Sequence, residues 1–206
     1  MPDMPTTLIP VSWQRMSDAV EQVRQRLLRA AHALETSKVP YAVVGGNAVA
    51  AWVSTVDESA VRNTRDVDIL LRLSDLEAAT AALSAVGFVH RRLASPGQGG
   101  HMDIFLDGPA AKVRDAVHII PAGEKTTRDS PEPSPDVNES EPAEGFTLVS
   151  LPALVRMKLT AWRDKDRMHL RDLASVGLLG QPAAYPELSG ELQKRLQHIL
   201  DTPEDY

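Results

Sequence analysis

Two stretches of this chain bring together residue types that do chemistry. "YAVVGGNAVAAW", Tyr41–Trp52, sets Gly45 and Gly46 between an apolar run and an alanine-rich one. "TRDVDILL", Thr64–Leu71, puts Asp66 and Asp68 one residue apart in a second apolar run. Side chains alternate along a strand, so both aspartates share one face, with Cα atoms roughly 6.5–7 Å apart. Val67, Ile69 and Leu71 take the other face, which reads as the buried one and leaves the carboxylates on an exposed face. Two anions this close repel unless a cation or a proton lies between them. A divalent metal resolves the conflict: Mg²⁺ (or Mn²⁺) commonly takes one or two carboxylates and fills its shell with water and substrate phosphate. The glycines suit the same task. A strand that enters a helix through Gly-Gly leaves backbone N–H groups free where the helix dipole attracts phosphate, and Gly46 allows close backbone approach. Taken singly, each motif also fits a tight turn, or a solvated strand end with Arg65 as ion partner. In this order they point to a metal–phosphate site.

The elements that must position these residues follow from periodicity. Ser12 to Thr36 is expected as an amphipathic helix, with Val20, Val23, Leu27, Leu28, Ala31 and Leu34 at helical spacing, and Val39-Pro40 stops it. Tyr41–Val44 suits a buried strand, Gly45-Gly46-Asn47 a turn, and 48–54 a short helix. Asp66–Leu71 is the next strand. Ser74 and Glu77 form a capping-box pattern for a helix to about Ala85, which Gly87 ends. Three further strands are expected at 88–93, 101–106 and 116–120, with a turn over Ser95–Gly100. Helices are expected from Ser150, divided near Asp164–Asp166, and over 188–200.

This order predicts an α/β (α+β) fold, a small mixed sheet flanked by helices with a helical C-terminal part. The expected organisation is a flexible tail at 1–11, a core at 12–123, a flexible Pro/Ser/acidic segment at 124–146, and a helical region at 147–206 packed on the core.

Composition narrows the class. With 206 residues, 43% hydrophobic and 24% charged, the chain reads as one globular domain with a helical appendage. Its net charge of −6 argues against a dedicated nucleic-acid binder. There is no cysteine, hence no disulfide and no thiolate metal site. The start of the chain lacks a signal-peptide pattern and no apolar run is long enough to span a bilayer, so a cytoplasmic location without membrane contact is expected.

"VVGGNAVAAW" followed by "RNTRDVDILL" resembles the nucleotidyltransferase superfold, the DNA polymerase β-like group. The likeness is closest to its small prokaryotic branch of antitoxin/toxin-type (AbiEii or MNT) nucleotidyltransferases. "LPALVRMKLTAWRDKDRMHLRDL" is similar to that branch's C-terminal segment, and the resemblance spans about residues 38–178. It implies transfer of a nucleoside monophosphate from an NTP to an acceptor hydroxyl, with release of pyrophosphate. Gly45 and Gly46 match the glycine motif, Asn47 joins them in the nucleotide-binding turn, and Asp66 and Asp68 match the metal-binding carboxylates. Active members usually add a third carboxylate from a later strand. Asp103 in "HMDIFLDG" is the preferred candidate, as a catalytic residue that ligates metal and helps deprotonate the acceptor. Asp115 and His118 in "RDAVHIIPAG" are the alternatives, and a histidine at that place would alter the base. Lys158 is a candidate for reaching nucleotide phosphates, as are Arg65 and Arg62.

Other readings stand beside these. Asp103 could be an inward polar residue bonded to a turn, His118 a satisfied core histidine, and Lys158 a solvated helix flank. Arg163, Lys165, Asp166, Arg167, Arg171 and Asp172 read mostly as ion pairing on an exposed helix. A tRNA, a protein hydroxyl or a small molecule all suit the acceptor role. The alternative function is a catalytically degenerate member of the fold, acting as a nucleotide-binding or toxin–antitoxin interaction module with a cognate partner protein.

Overall fold

The structure is a computed structural model that describes residues 10–94 and 101–202. The expected turn over Ser95–Gly100 and most of the expected N-terminal tail lie outside the described residues. The elements run α1 (Trp13–Thr36), β1 (Ala42–Val44), α2 (Gly45–Ser54), β2 (Val67–Leu71), α3 (Leu76–Ala85), β3 (Val89–Ala94), β4 (His101–Leu106), β5 (Ala116–Pro121), β6 (Ser140–Ala143), β7 (Phe146–Val149), α4 (Leu151–Ala161), α5 (Asp164–Ser175) and α6 (Gly190–Asp201). The fold is mixed α/β, as expected. No helix among the described residues is long and apolar enough to cross a membrane.

One seven-stranded sheet, in the order β3-β4-β5-β2-β1-β7-β6, organises the molecule. β1 pairs antiparallel with β2, and β2 pairs parallel with β5. Leu27 and Leu34 of α1 and Leu83 of α3 cover one face, packing on Val67, Ile69, Phe105 and Val117. Leu154, Leu170 and Leu192 of α4, α5 and α6 cover the other, with Ala48 and Val49 of α2, over Val44 and Leu70. Each fully buried leucine stabilises the fold by about 1.5–3 kcal/mol. The face that carries Asp68 is therefore roofed by helices rather than exposed, and Leu70 on it is fully buried. The alternation is as expected; the exposure is not, because the C-terminal helices close over the sheet.

Local chemistry explains where the elements begin. The Ser12 hydroxyl accepts a hydrogen bond from the Arg15 amide at the start of α1. α2 starts at Gly45, so the expected Gly-Gly-Asn turn is its first helical turn. The Ser74/Glu77 capping box does not form. A single 3₁₀ turn over Leu73–Asp75 takes in Ser74, α3 begins at Leu76, and no side chain caps its start. Trp162 adopts a left-handed conformation (φ 52°) and divides α4 from α5, slightly before the expected break.

Residues 124–146 were expected to be flexible, with little to bury. In the structure they pack on the body, and β6 and the start of β7 fall within them. Ser130, Ser134 and Val137 are buried. Arg72 grips Asp136 with two bonds, 2.9 and 2.6 Å, and Arg156 holds Glu139 at 2.7 Å. The Arg72 guanidinium holds the Asp136 carboxyl down at about 2. Gly145 turns the chain with φ +85° into β7, which lies parallel to β1. A bidentate Arg72–Asp136 pair, the Arg156–Glu139 pair and the pairing of β6 with β7 are the contacts made by a segment whose composition offers few apolar anchors.

Candidate active site

Register alone brings the key residues together. Val44 stands opposite Asp68, Asp68 lies beside His118, and His118 lies opposite Ile104. Paired residues share a face, so Asp68 and His118 project together beneath the helical roof. Asp66 precedes β2 by one residue and reaches the same place.

The glycines shape the floor. Gly45 has φ +71°, a conformation that L side chains rarely adopt, and a Cβ there would lie 2.8 Å from Cγ of Asp68. A Cβ on Gly46 would lie 2.9 Å from the Thr64 hydroxyl. Thr64 in turn donates to Oδ1 of Asp66 at 2.9 Å. Asn47 donates to the backbone carbonyl of Asp66 at 2.8 Å, so it ties the first turn of α2 to the entry of β2. No side chain caps the start of α2, and Gly45 and Gly46 at that start line the cavity.

His118 closes the cluster. Its Nδ1 lies 3.4 Å from Oδ1 of Asp68 and 3.9 Å from Oδ2 of Asp66. One ligand atom from each of Asp66, Asp68 and His118 falls within 4.8 Å of the others. Two ligands placed about 2.1 Å from a six-coordinate ion stand about 3 Å apart, so small side-chain rotations fit this donor set to a divalent cation. The bond to Asp68, and to a lesser degree the Val113 carbonyl, raise the His118 pKa above its usual value, against the effect of burial. Burial pushes the Asp66 carboxyl upward, but the Thr64 hydroxyl and the neighbouring cations leave it below the usual carboxylate range. Asp66 therefore stays ionised at neutral pH.

Asp103 is elsewhere. It neighbours Ile104 on β4 and so projects to the opposite face, where Oδ1 meets His90 Nε2 at 2.7 Å and Arg92 Nε at 3.1 Å. Its selection as the third carboxylate is corrected by the pleat: His118, not Asp103, is in register with Asp68. Asp115 ends a 3₁₀ turn (Val113–Asp115) before β5. Arg65 is exposed and does not line the cavity; its backbone carbonyl accepts from Arg26.

The roof holds a chain of buried charges. Lys158 of α4 is 5% exposed, and its Nζ meets Oδ1 of Asp166 at 3.1 Å. Arg163 meets the other oxygen of Asp166 at 2.6 Å. Burial lowers the Lys158 pKa, opposed by Asp166. Burial raises that of Asp166, but Arg163 and Lys158 outweigh it and keep the carboxyl below its usual range. Arg62 reaches over to Asp172 of α5 at 2.8 Å. Asp166, Arg171 and Asp172 are buried, whereas Arg163 and Lys165 are exposed and Arg167 pairs with Asp164 on the helix surface, so only part of the mixed-charge stretch is the solvated, ion-paired face expected. Sequence periodicity gave no sign of the buried part, because Asp166, His169 and Asp172 of α5 line a cavity.

Sheet and roof enclose a cavity of about 1160 Å³, lined by Gly45, Asp66, Asp68, His118, Lys158 and Asp172 among others. Single-ligand sites are about 300–1,000 Å³, so this cavity is at the large end for a small-molecule site. Thr64, which fixes Asp66, and the buried Asp166 and Asp172 are the members that sequence reasoning did not assign to the site. A hydroxyl two residues ahead of Asp66 is the signal that could have found the first.

Solved structures share this architecture. An antigenic nucleotidyltransferase-like protein from Paracoccidioides brasiliensis superposes with a TM-score of 0.56 at 19% identity, over 89% of this chain and 89% of that one. The solution structure of the antibiotic-resistance factor ANT(2'')-Ia gives 0.51 at 15% identity, over 89% of this chain and 93% of that one.

The fold is that of the nucleotidyltransferases.

ANT(2'')-Ia in complex with adenylyl-2''-tobramycin gives 0.50 at 14% identity, over 88% of this chain and 98% of that one. No family model and no curated protein matches the sequence. The nucleotidyltransferase fold is thus carried here by a sequence far from those of the structures that share it.

Proposed function

We propose that this chain is a metal-dependent nucleotidyltransferase that moves a nucleoside monophosphate from an NTP to an acceptor hydroxyl. The observation that carries the reading is the convergence of Asp66, Asp68 and His118 beside the uncapped, glycine-built start of α2, within this fold. Asp66, Asp68 and His118 would hold Mg²⁺ or Mn²⁺. When bound, the ion neutralises phosphate charge and stabilises the attacking and leaving oxygens of an in-line displacement. The amides of Gly45 and Gly46 receive phosphate oxygens. Asn47 and Thr64 orient Asp66. Lys158 lines the same cavity and adds positive charge near the phosphates, with Asp166 fixing its position. A bond forms between the acceptor oxygen and the α-phosphorus, the bond to the bridging oxygen breaks, and pyrophosphate leaves. The acceptor proton passes to Asp66, the more exposed carboxylate of the pair (side chain 31% against 16%).

Adenylylated tobramycin on ANT(2'')-Ia supports testing a small hydroxyl compound first. The acidic net charge also disfavours RNA as acceptor. The test is incubation with each of four α-labelled NTPs, Mg²⁺ or Mn²⁺, and tobramycin, tRNA or a protein extract. A labelled acceptor that Asp68→Asn abolishes supports the reading. Absence of both labelling and NTP binding overturns it.

His118 in place of a third carboxylate favours a second reading, a degenerate nucleotide-binding or toxin–antitoxin module. NTP binding without transfer, together with co-purification of a small partner protein, would favour that version.

A further inference from the structure

The third ligand position is where this site departs from an all-carboxylate set, and the backbone dictates how. Nε2 of His118 lies 3.1 Å from the carbonyl oxygen of Val113. A carbonyl only accepts, so Nε2 carries a hydrogen. In the neutral ring Nδ1 is then an unshared lone pair. It is directed at the place where the carboxylates converge, 3.4 Å from Asp68 and 3.9 Å from Asp66. The side chain is 13% exposed, and the 3₁₀ turn over Val113–Asp115 supplies the anchoring carbonyl. An orienting acceptor on the far nitrogen is the usual arrangement of a metal-bound histidine, where it fixes the tautomer and raises ligand basicity.

Resting on the reading of this cluster as the cation site of a nucleotidyltransferase, we infer that His118 ligates the ion directly through Nδ1 and that the Asp66–Asp68–His118 set favours Mn²⁺ or Co²⁺ over Mg²⁺. The reason is ligand chemistry. Mg²⁺ is a hard ion that takes oxygen donors and gains most from anionic charge. An imidazole in place of a carboxylate removes one negative charge and supplies a nitrogen donor. Both changes cost Mg²⁺, whereas a first-row transition ion recovers the loss through the nitrogen bond. His118 thus becomes a determinant of ion choice, and Val113 a positioning residue that acts through its carbonyl.

The test uses the full chain stripped of metal with a chelator. Mn²⁺ is titrated in and its free-ion electron paramagnetic resonance signal followed, with Mg²⁺ as competitor. The bound Mn²⁺ is then examined for nitrogen coupling by electron spin-echo modulation. Nitrogen coupling is expected in the wild type and not in His118→Gln. His118→Asp is expected to lower the preference for Mn²⁺ over Mg²⁺ by at least about tenfold, the low end for losing even an outer-shell partner. Bound Mn²⁺ without nitrogen coupling overturns the inference, as does an unchanged ion preference in a folded His118→Asp. Should that variant fail to fold, the wild-type coupling decides alone. Nitrogen coupling without nucleotide transfer would retain the ligand and sink the enzyme reading. Transfer without nitrogen coupling would do the reverse, and no Mn²⁺ binding at all overturns both.

Discussion

Gly45 leaves open the space that the Asp68 carboxylate occupies: a Cβ on Gly45 would lie 2.8 Å from Asp68 Cγ and 2.9 Å from its Cβ. The backbone there has φ +71°, so the position excludes other residues twice, by conformation and by contact. Gly45→Ala should cost about 1–3 kcal/mol through backbone strain alone. It should also displace Asp68 and abolish cation binding. Urea unfolding with Mn²⁺ titration checks both. Loss of stability with intact Mn²⁺ affinity would contradict the assigned packing.

Asp103 and Asp68 lie on opposite faces of the sheet and should separate stability from function. Asp103→Asn weakens bonds to His90 and Arg92 and should cost about 1–3 kcal/mol while leaving nucleotide transfer in place. Asp68→Asn should leave the fold intact and reduce labelling by more than about 100-fold, beyond the loss expected of an outer-shell partner. Thermal melts and labelled-NTP assays on the two variants give the comparison.

The pair Lys158–Asp166 is buried, and its two halves are not equivalent. Asp166→Ala leaves the buried Lys158 ammonium without its ion partner, a loss of about 3–5 kcal/mol. Lys158→Met leaves Asp166 still bonded to Arg163, so the loss should be smaller. Chemical denaturation of both variants and of the double variant measures the coupling. Equal losses would show that Arg163 does not compensate.

Stability should fall in mild acid through His169. Burial first, then the charge of Lys158, holds this histidine at about 4 against an ordinary 6.5, and its Nδ1 is buried without a hydrogen bond. The folded state therefore keeps His169 neutral while the unfolded chain protonates it. The contribution is full above 6.5 and is lost as pH drops from there towards about 4. Comparing wild type and His169→Gln in urea at several pH values should show a shallower acid loss in the variant. Parallel profiles would remove His169 from the account.

Much of this was legible in the sequence where one local rule suffices. Period-two alternation placed Asp66 and Asp68 together, and the 3.6-residue period gave α1 and the C-terminal helices. What depends on pairing between distant strands was not legible. Nothing within "HMDIFLDG" says which face of β4 meets β5, so Asp103 is preferred to His118 on sequence, and it is the register of Ile104 with His118 that puts His118 on the face of Asp68. The segment at 124–146 was opaque for another reason. Its contacts are to Arg72, 64 residues before Asp136, to Arg156 and to β7, none of which its own composition announces. Ser74 shows the converse: a complete local capping pattern is present, yet Ser74 lies within a 3₁₀ turn and caps no helix.

The most direct measurement is an anomalous difference map at the manganese edge, from crystals grown with Mn²⁺ and an NTP analogue that cannot be cleaved at the α–β bridge. A peak bound by Asp66, Asp68 and Nδ1 of His118 is expected, with triphosphate density at the amides of Gly45 and Gly46. Manganese bound elsewhere, or triphosphate density away from the start of α2, would contradict that arrangement.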